Sequence, residues 1–577
     1  MLISDSCNLS GKVIVISVIN YGNENEVIDF AKHLSMQTVA SSILLTVTAN
    51  KWSEEGQSIL MQGLQKVSID VLVFDEGQNL GYLNGTILGY NKLRKREDFS
   101  PRWIAVSNTD ILFYQDSFME KLLDNEYAED IGCIAPSVYV PATNVFENPR
   151  YKTRIKKERM QAIITRCSVS NSMGIVQKLS AIKGKLQRGR EENSQYVYLA
   201  HGCFFFISPE LATALCERPY GALLYSEESF VAETAITIGK RVYYDSSLKL
   251  VHNENAVTGK LGSKRQAQMS IDSLNMVLDR FYHSNPCNPP YVTEDVCAVI
   301  VSFNDPSRIE RNVAALKENG VSTIIVDNGS DDATLTILKN IVLQSGAALI
   351  LNQENCGIAT ALQQGLTYAY KNAYKLLLTL DQDSVLCTGA IDEMIRVMNS
   401  DYSIAAVGPV YATDMLDAEV MAPIDVDYLI TSGNLVHVNR AICCGGYDED
   451  MFIDSVDFDF SLRLKQNGFR IVKAPGAHLK HSIGEPFVPK GMFSFLRLEM
   501  HSPVRYYYMV RNHVVLCKRY RKAFPIFCLK KNISMALETV QAVLFFPNKK
   551  EYVQAIRLGR KDAKLGKMGR LDNAIIR

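Results

Sequence analysis

Two stretches of the 577-residue chain repeat one hydrophobic pattern. Val13-Ile14-Val15-Ile16-Ser17-Val18-Ile19-Asn20 is an almost unbroken apolar run that ends in a polar turn. Val296-Cys297-Ala298-Val299-Ile300-Val301-Ser302-Phe303-Asn304 repeats it. A strand with one wet face alternates apolar and polar residues, so continuous β-branched runs predict strands covered on both faces. In the second copy, further strands are expected at 297–303, 323–326, 348–351 and 375–380, separated by amphipathic helical stretches. That alternation predicts an α/β domain with a mostly parallel sheet. The first run is far shorter than the roughly 18 residues of a spanning helix, and no small-residue cleavage site follows it. It reads as a strand rather than a signal peptide.

Markers further along keep register between the copies. Asn79-Leu80-Gly81 precedes Gly89 by the interval that separates Asn355-Cys356-Gly357 from Gly365. Asn108-Thr109-Asp110 stands before Pro136 as Asp381-Gln382-Asp383 stands before Pro409, with 26 residues from the last acid to the proline in each case. Glu228, Gly239 and His252 are spaced 11 and 13 apart, and so are Asp457, Gly468 and His481. The offset between copies is 273 at the prolines and 229 at the histidines, which places an insertion of 44 residues in the first copy after Pro136. The chain therefore reads as a tandem duplication. A first domain covers 1–285 with a basic insertion at about 137–200, a second covers 292–500, and a basic aromatic tail covers 501–577. Asn285-Pro286-Cys287-Asn288-Pro289-Pro290 suits the linker, because its prolines interrupt regular structure.

Composition narrows the class. Apolar residues make up 47% and charged residues 21%, a globular balance. Lys+Arg and Asp+Glu are both 62, so no global basic charge points to nucleic acid. Thirteen cysteines without a CxxC pair or a zinc-like spacing read as reduced, cytosolic thiols. The zero net charge conceals an asymmetry: residues 501–577 hold 17 basic and 4 acidic residues. A second block, 150–190, holds 12 basic residues against Glu158 alone. Such blocks suit a solvated helical surface, or attraction to anionic lipid or a diphosphate-bearing acceptor. Tyr506, Tyr507, Tyr508 and Tyr520 interleave with Arg505, Arg511, Lys518, Arg519 and Arg521, a mixture suited to peripheral contact with the cytoplasmic face of an inner membrane. The aliphatic and aromatic residues of this tail equally suit a homo-oligomer interface.

The polar motifs sit just beyond strand carboxyl ends, where ligands of such sheets bind. Two carboxylates at i and i+2, Asp381 and Asp383, can converge on Mn²⁺ or Mg²⁺ bridged to a diphosphate. Asp327 can accept bonds from a ribose hydroxyl or a base N–H, or cap the Asn328-Gly329-Ser330 turn. Among Asp454, Asp457 and Asp459, mutual repulsion raises a pKa toward general-base use. Arg463 is placed to pair with Asp459 on a helix, which favours Asp457 as base. His481, with His478 as a weaker alternative, is a candidate metal ligand. The first copy carries Asn108, Asp110, Glu228 and His252 at the matching points, but Thr48-Ala49-Asn50 lacks an aspartate matching Asp327.

Together these residues resemble family 2 glycosyltransferases of the GT-A, Rossmann-like nucleotide-diphospho-sugar fold, and the second copy resembles bacterial dTDP-rhamnosyltransferases. The resemblance is carried by Val326 to Ser330, Asn355 to Gly365, Leu380-Asp381-Gln382-Asp383-Ser384, Ser432-Gly433, Phe452 to Arg463, His481 to Gly484 and Tyr507 to Asn512. It implies inverting transfer from a nucleotide-sugar, dTDP-L-rhamnose for the second copy, to a lipid-linked or oligosaccharide acceptor of O-antigen or capsule. It also implies donor-side roles for Asp327, Ser302, Asn355 and Asp381, and for Asn79 and Asn108. Metal ligation falls to Asp383 with His481 and to Asp110 with His252. Asp457 and Glu228 are the implied bases, and Ser432-Gly433 would line the acceptor pocket. The rival reading keeps one active transferase, the second copy, with the first as an acceptor-binding module.

Overall fold

The computed structural model describes residues 9–170, 191–253, 263–283, 290–411, 422–481, 487–489 and 497–571. The chain divides into two compact units, Met1–His283 and Ser284–Arg577. Most of the expected linker lies outside the described residues, as does the second half of the 150–190 basic block.

Unit one is built on β1 (Ile14–Tyr21), β2 (Ile43–Lys51), β3 (Asp70–Asp75), β4 (Trp103–Ser107), β5 (Ile111–Phe113), β6 (Ile131–Val140), β7 (Val145–Phe146), β8 (Gln195–Val197), β9 (Phe204–Ile207) and β10 (Arg241–His252). Its sheet order is β3-β2-β1-β4-β9-β6-β10-β5, with β7 on β6 and β8 on β10. Unit two is built on β11 (Val296–Ser302), β12 (Ser322–Asp327), β13 (Ala348–Leu351), β14 (Leu376–Asp381), β15 (Ser384–Leu386), β16 (Ile404–Tyr411), β17 (Ile424–Asp425), β18 (Asn434–His437) and β19 (Arg470–His481). Its order is β13-β12-β11-β14-β18-β16-β19-β15, with β17 on β19. Strand for strand this is the same path. Strand sense agrees too: β1 and β11 pair in parallel with both neighbours, while β9 and β18 run antiparallel to theirs. Each unit is thus a GT-A-type α/β domain, and the duplication read from spacing is a duplication of topology.

The apolar runs become central strands because both sheet faces are covered. Ile14, Ile16 and Val18 enter one core cluster while Val15 enters the other, and all four are fully buried. Burying a Val or Ile side chain contributes roughly 1.5–3 kcal/mol. A polar residue is tolerated there only when satisfied, as Ser17 is by Thr46, whose hydroxyls lie 2.7 Å apart.

The described part of the basic insertion departs from a purely solvated surface. Arg154 is buried, donating to Glu233 at 2.8, 2.9 and 3.1 Å and to the Phe281 carbonyl at 3.2 Å. Tyr198 and Tyr282 also donate to the Glu233 carboxylate, at 2.7 and 2.8 Å. This cation is a structural anchor and is not offered to a ligand. The 501–577 segment also departs from its sequence reading. Helices Pro503–Tyr520, Pro525–Phe545 and Lys549–Leu565 belong to unit two. Tyr506, Tyr507, Tyr508 and Tyr520 are only 2–3% exposed. Their rings pack against neighbouring rings, Tyr506 on Phe546 and Tyr552 and Tyr508 on Phe452, so these tyrosines do not supply interfacial aromatics.

Removing one partner of a buried ion pair strands the other charge. Glu233→Leu is therefore expected to destabilise unit one by about 3–5 kcal/mol in urea unfolding. Adding Arg154→Met should recover most of that loss.

Candidate active site

In unit two the candidate residues gather at the carboxyl ends of β11, β12 and β14. Asp327 ends β12 fully buried. Its carboxylate accepts from the Gly329 and Ser330 N–H groups at 3.1 and 2.9 Å and from Ser330 Oγ at 2.6 Å. It therefore braces the turn as well as ending the strand. Asn355 also builds local structure, since its Oδ1 accepts from Asn328 Nδ2 at 3.2 Å and from the Gly357 N–H at 2.9 Å. Gly357 has φ 86°, and a Cβ there would stand 2.4 Å from the Phe452 carbonyl oxygen, so only glycine fits this approach. The Ser302 side chain is wholly buried, and its carbonyl accepts from the Asn328 N–H at 2.8 Å.

Asp381 ends β14 and its N–H donates to Ser432 Oγ at 3.2 Å, which ties the acidic turn to Ser432-Gly433. Gln382 links the same turn to the end of β11. Its side chain accepts from the Phe303 N–H at 3.2 Å and its carbonyl from Asn312 Nδ2 at 3.1 Å. Arg308 lies 3.7 Å from Asp383, which is 27% exposed. Backbone register sets His481 opposite Ser384, the residue after Asp383. The His481 side chain lies outside the described residues. His478 is exposed.

The third acidic group separates into structural and available members. Asp459 is fully buried and saturated by Arg463 at 2.7 Å, Arg519 at 3.0 Å and the Tyr520 hydroxyl at 2.9 Å. Asp454 faces Arg505 at 3.1 Å. Asp457 opens the helix Val456–Gln466, and its Oδ1 accepts from the Phe458 N–H at 2.8 Å. Burial outweighs that bond and the nearby Lys531 ammonium, pushing Asp457 up to about 6.

Lys531 was not legible as a site residue. It comes from the Pro525–Phe545 helix, with its Nζ 3.6 Å from the centre of the Phe458 ring and 4.6 Å from that of Tyr428. Burial lowers its pKa. The loop before Asp457 is strained: Phe452, Asp454 and Ser455 have φ of 64°, 65° and 63°. Asn512 Nδ2 holds it by donating to the carbonyls of Met451, Ile453 and Asp454 at 2.8, 2.7 and 2.9 Å.

Unit one repeats this design. His252 pairs in register with Ile111, the residue after Asp110, as His481 does with Ser384. Here both side chains are described, with His252 Nε2 3.3 Å from Asp110 Oδ1 and 3.5 Å from Asn108 Nδ2. Glu228 accepts from the Gly202 N–H at 3.2 Å, and a Cβ on that glycine would stand 2.7 Å from the carboxylate. Left-handed Tyr225 and Ser226 precede the Glu227–Thr237 helix just as Asp454 and Ser455 precede the helix of Asp457. Asn79 Oδ1 accepts from the Gly81 N–H at 2.9 Å, matching Asn355 and Gly357. The end of the second strand differs. Asn20 pairs with Ala49 where Ser302 pairs with Asp327, so Ala49 occupies the aspartate's place.

The charge at this second cluster suits a cation. Burial first, and then Asp110, Glu228 and Glu147, push the Cys203 thiol well above its ordinary range. Burial, and then Glu228, push Glu227 up to about 8. Among the described residues no three His, Cys, Asp or Glu side chains converge to hold a metal by themselves. An Asp–His pair fits a metal that takes its remaining ligands from substrate phosphate and water. Tyr82 and His201 also belong to this cluster and were missed. Tyr82 donates to the Gly202 carbonyl at 2.9 Å, and the His201 ring centre lies 6.0 Å from that of His252.

Comparison with known proteins follows the same line. Residues 297–446 match the family model described as Glycosyl transferase family 2. The dTDP-rhamnosyl transferase RfbF of Shigella flexneri is 24% identical over 298 residues, covering 48% of this chain and 98% of that protein. Poly-beta-1,6-N-acetyl-D-glucosamine synthase of Staphylococcus aureus is 31% identical over 117 residues, covering 20% of this chain and 28% of that protein. Similar solved structures include the mannosyltransferase PcManGT from Pyrobaculum calidifontis in complex with GDP-Man and Mn²⁺. It has a TM-score of 0.32 at 16% identity, over 48% of this chain and 88% of that one. GalNAc-T7 with UDP, GalNAc and Mn²⁺ has a TM-score of 0.34 at 14% identity, over 47% and 54%. The chain is a glycosyltransferase. Residues 297–446 of its C-terminal unit are a family 2 glycosyltransferase domain.

A base works only when deprotonated, and a raised pKa moves that form to higher pH. For transfer by unit two, kcat/KM should therefore fall about tenfold per pH unit below about 6, and Asp457→Asn should remove the activity with its acid limb. Asn512→Ala should cost about 1–3 kcal/mol, because buried carbonyls lose their donor. It should lower kcat more than it raises KM in steady-state assays.

Proposed function

We propose that the chain is a bifunctional, metal-dependent, inverting glycosyltransferase that adds two sugars to a bacterial surface polysaccharide such as O-antigen or capsule. The observation that carries two-site activity is the close grouping of Asp110, His252 and Asn108 in unit one, with Glu228 on the matching helix. The donor of unit two is dTDP-L-rhamnose, a reading supported by the Shigella relative and by the acidic turn. The acceptor is a lipid-linked or free oligosaccharide.

In unit two, the carboxylate of Asp457 takes the proton of the acceptor hydroxyl. The oxygen attacks the anomeric carbon from the face opposite the nucleotide, and the bond to the diphosphate oxygen breaks, inverting the centre. Asp327 and the turn it braces form the nucleoside side of the cleft. Ser432-Gly433, tied to Asp381, forms its acceptor side. Asp383 with His481, and Asp110 with His252, would hold Mn²⁺ or Mg²⁺. When bound, the ion supplies neutralisation of the charge on the leaving diphosphate. In unit one Glu228 takes the part of Asp457.

Ala49 in place of Asp327 favours a second reading, in which unit two alone catalyses and unit one binds acceptor. A donor panel with Mn²⁺ or Mg²⁺ separates the two. Asp383→Ala should cut dTDP-rhamnose turnover by about 100-fold or more, on the scale of losing one electrostatic stabiliser. Asp110→Ala should cut turnover of a different donor alone. Loss of the same linkage in both variants would overturn two-site activity. An unchanged product from Glu228→Gln would support the second reading.

A further inference from the structure

The Pro525–Phe545 helix has two unlike faces. Phe527, Cys528 and Ala542 are buried, and Lys531 points toward Tyr428 and Phe458 beside Asp457. Away from this packed side, Ile526, Leu529, Ile533, Leu537, Val540 and Leu544 are 53–69% exposed. Their spacings of 3, 4, 4, 3 and 4 residues trace one narrow stripe along a helix. The helix is 21 residues long, so the stripe runs for about 30 Å at ~1.5 Å per residue. The one acid in its span, Glu538, lies about 100° round the helix from Leu537 and accepts from Ser534 Oγ at 2.7 Å.

Exposed cations surround the stripe. Arg521 and Lys522 precede the helix, Lys530 lies beside Leu529, and Lys549 and Lys550 follow the end of the helix. In the Lys549–Leu565 helix, Tyr552, Ala555, Ile556 and Gly559 face inward. Lys549, Lys550, Arg557, Arg560, Lys561 and Lys564 fall within one third of its circumference, on the exposed side. An open groove along that helix is lined by Lys549, Lys550, Arg557 and Lys561 together with Val553 and Leu558.

We infer that the Pro525–Phe545 helix is a membrane-docking element that lies flat in an anionic lipid leaflet, its Ile526–Leu544 stripe among the acyl chains and the flanking Lys and Arg on the headgroups. Charge selects this occupant. A second copy would bring two strongly basic segments together, whereas an anionic leaflet complements both the stripe and its border. Among the described residues no helix is long and apolar enough to cross a membrane, so the helix rests on the surface. Because its other side carries Lys531 toward the candidate base, docking holds the acceptor end of the unit-two site close to the headgroup plane. This deepens the reading of the acceptor as lipid-linked, and it is measured without turnover.

The test is flotation of the full chain with vesicles of phosphatidylglycerol and phosphatidylethanolamine, set beside phosphatidylcholine alone. The native protein should float with the anionic vesicles and much less with the neutral ones, and high salt should weaken the association. Ile533→Gln/Leu537→Gln, both at exposed positions, should lower partitioning by about tenfold or more. Lys549→Gln/Lys550→Gln should lower it less and flatten its salt dependence. Flotation of the first variant equal to native would overturn the proposal, and so would failure of the native protein to float. A dimer in analytical ultracentrifugation that this variant abolishes would assign the stripe to a second copy and overturn it too. Flotation without any sugar transfer would support docking while removing the catalytic reading.

Discussion

Everything at the candidate sites depends on the burial of both faces of the central parallel strands. β1 and β11 are flanked on each side by parallel neighbours and covered above and below, so their interior positions must be apolar. Polar groups are admitted only where the strands run out. In unit two Asp327 and Asp381 are the last residues of β12 and β14, and register brings them alongside Ser302 and Val301 of β11. The same pressure that empties the sheet of charge therefore collects acids along one edge. Parallel strands share a direction, so their carboxyl ends share that edge, and a nucleotide-sugar site grows there with little further instruction.

The candidate base arrives by a different route. Asp457 and Glu228 each sit in the first turn of a helix that follows two residues in left-handed conformation. Such a corner is costly and persists only when clamped. Unit two clamps it from the Pro503–Tyr520 helix, whose Asn512 amide lies within hydrogen-bond distance of three carbonyls, one of them shared with Arg511. Unit one uses the Ser263–Phe281 helix, where Ser273 donates to Ser226 at 3.1 Å. A helix that follows the sheet in sequence thus frames the candidate base in each unit. In unit two the corner also meets the helix that carries both Lys531 and the exposed apolar stripe.

The two copies diverge at the proposed donor residues and agree at the proposed metal and base residues. Ala49 stands at the register of Asp327, and Asn108 replaces the first acid of the triplet. Asp110, His252 and Glu228 keep their places, and the two carboxylates add to burial in raising the thiol pKa of Cys203.

Much of this was legible in the order of residues. Strand positions, the duplication, the acidic motifs at strand ends and the pairing of Arg463 with Asp459 follow from period, spacing and helical geometry, all local or repetitive properties. Other features depended on which distant residues became neighbours. The turn-bracing bonds of Asp327 and Asn355, the interior ion pair of Arg154 and Glu233, and the burial of four tyrosines could not be read from composition. An aromatic residue beside a cation looks interfacial in sequence whether it ends in a core or at a surface. The membrane-facing candidate shifted for the same reason, from those tyrosines to the aliphatic stripe of the next helix. Sequence determined which side chains were available and on which face of a helix or strand each would lie. Tertiary packing alone decided which faces were covered, because burial is a property of what comes to rest against a face.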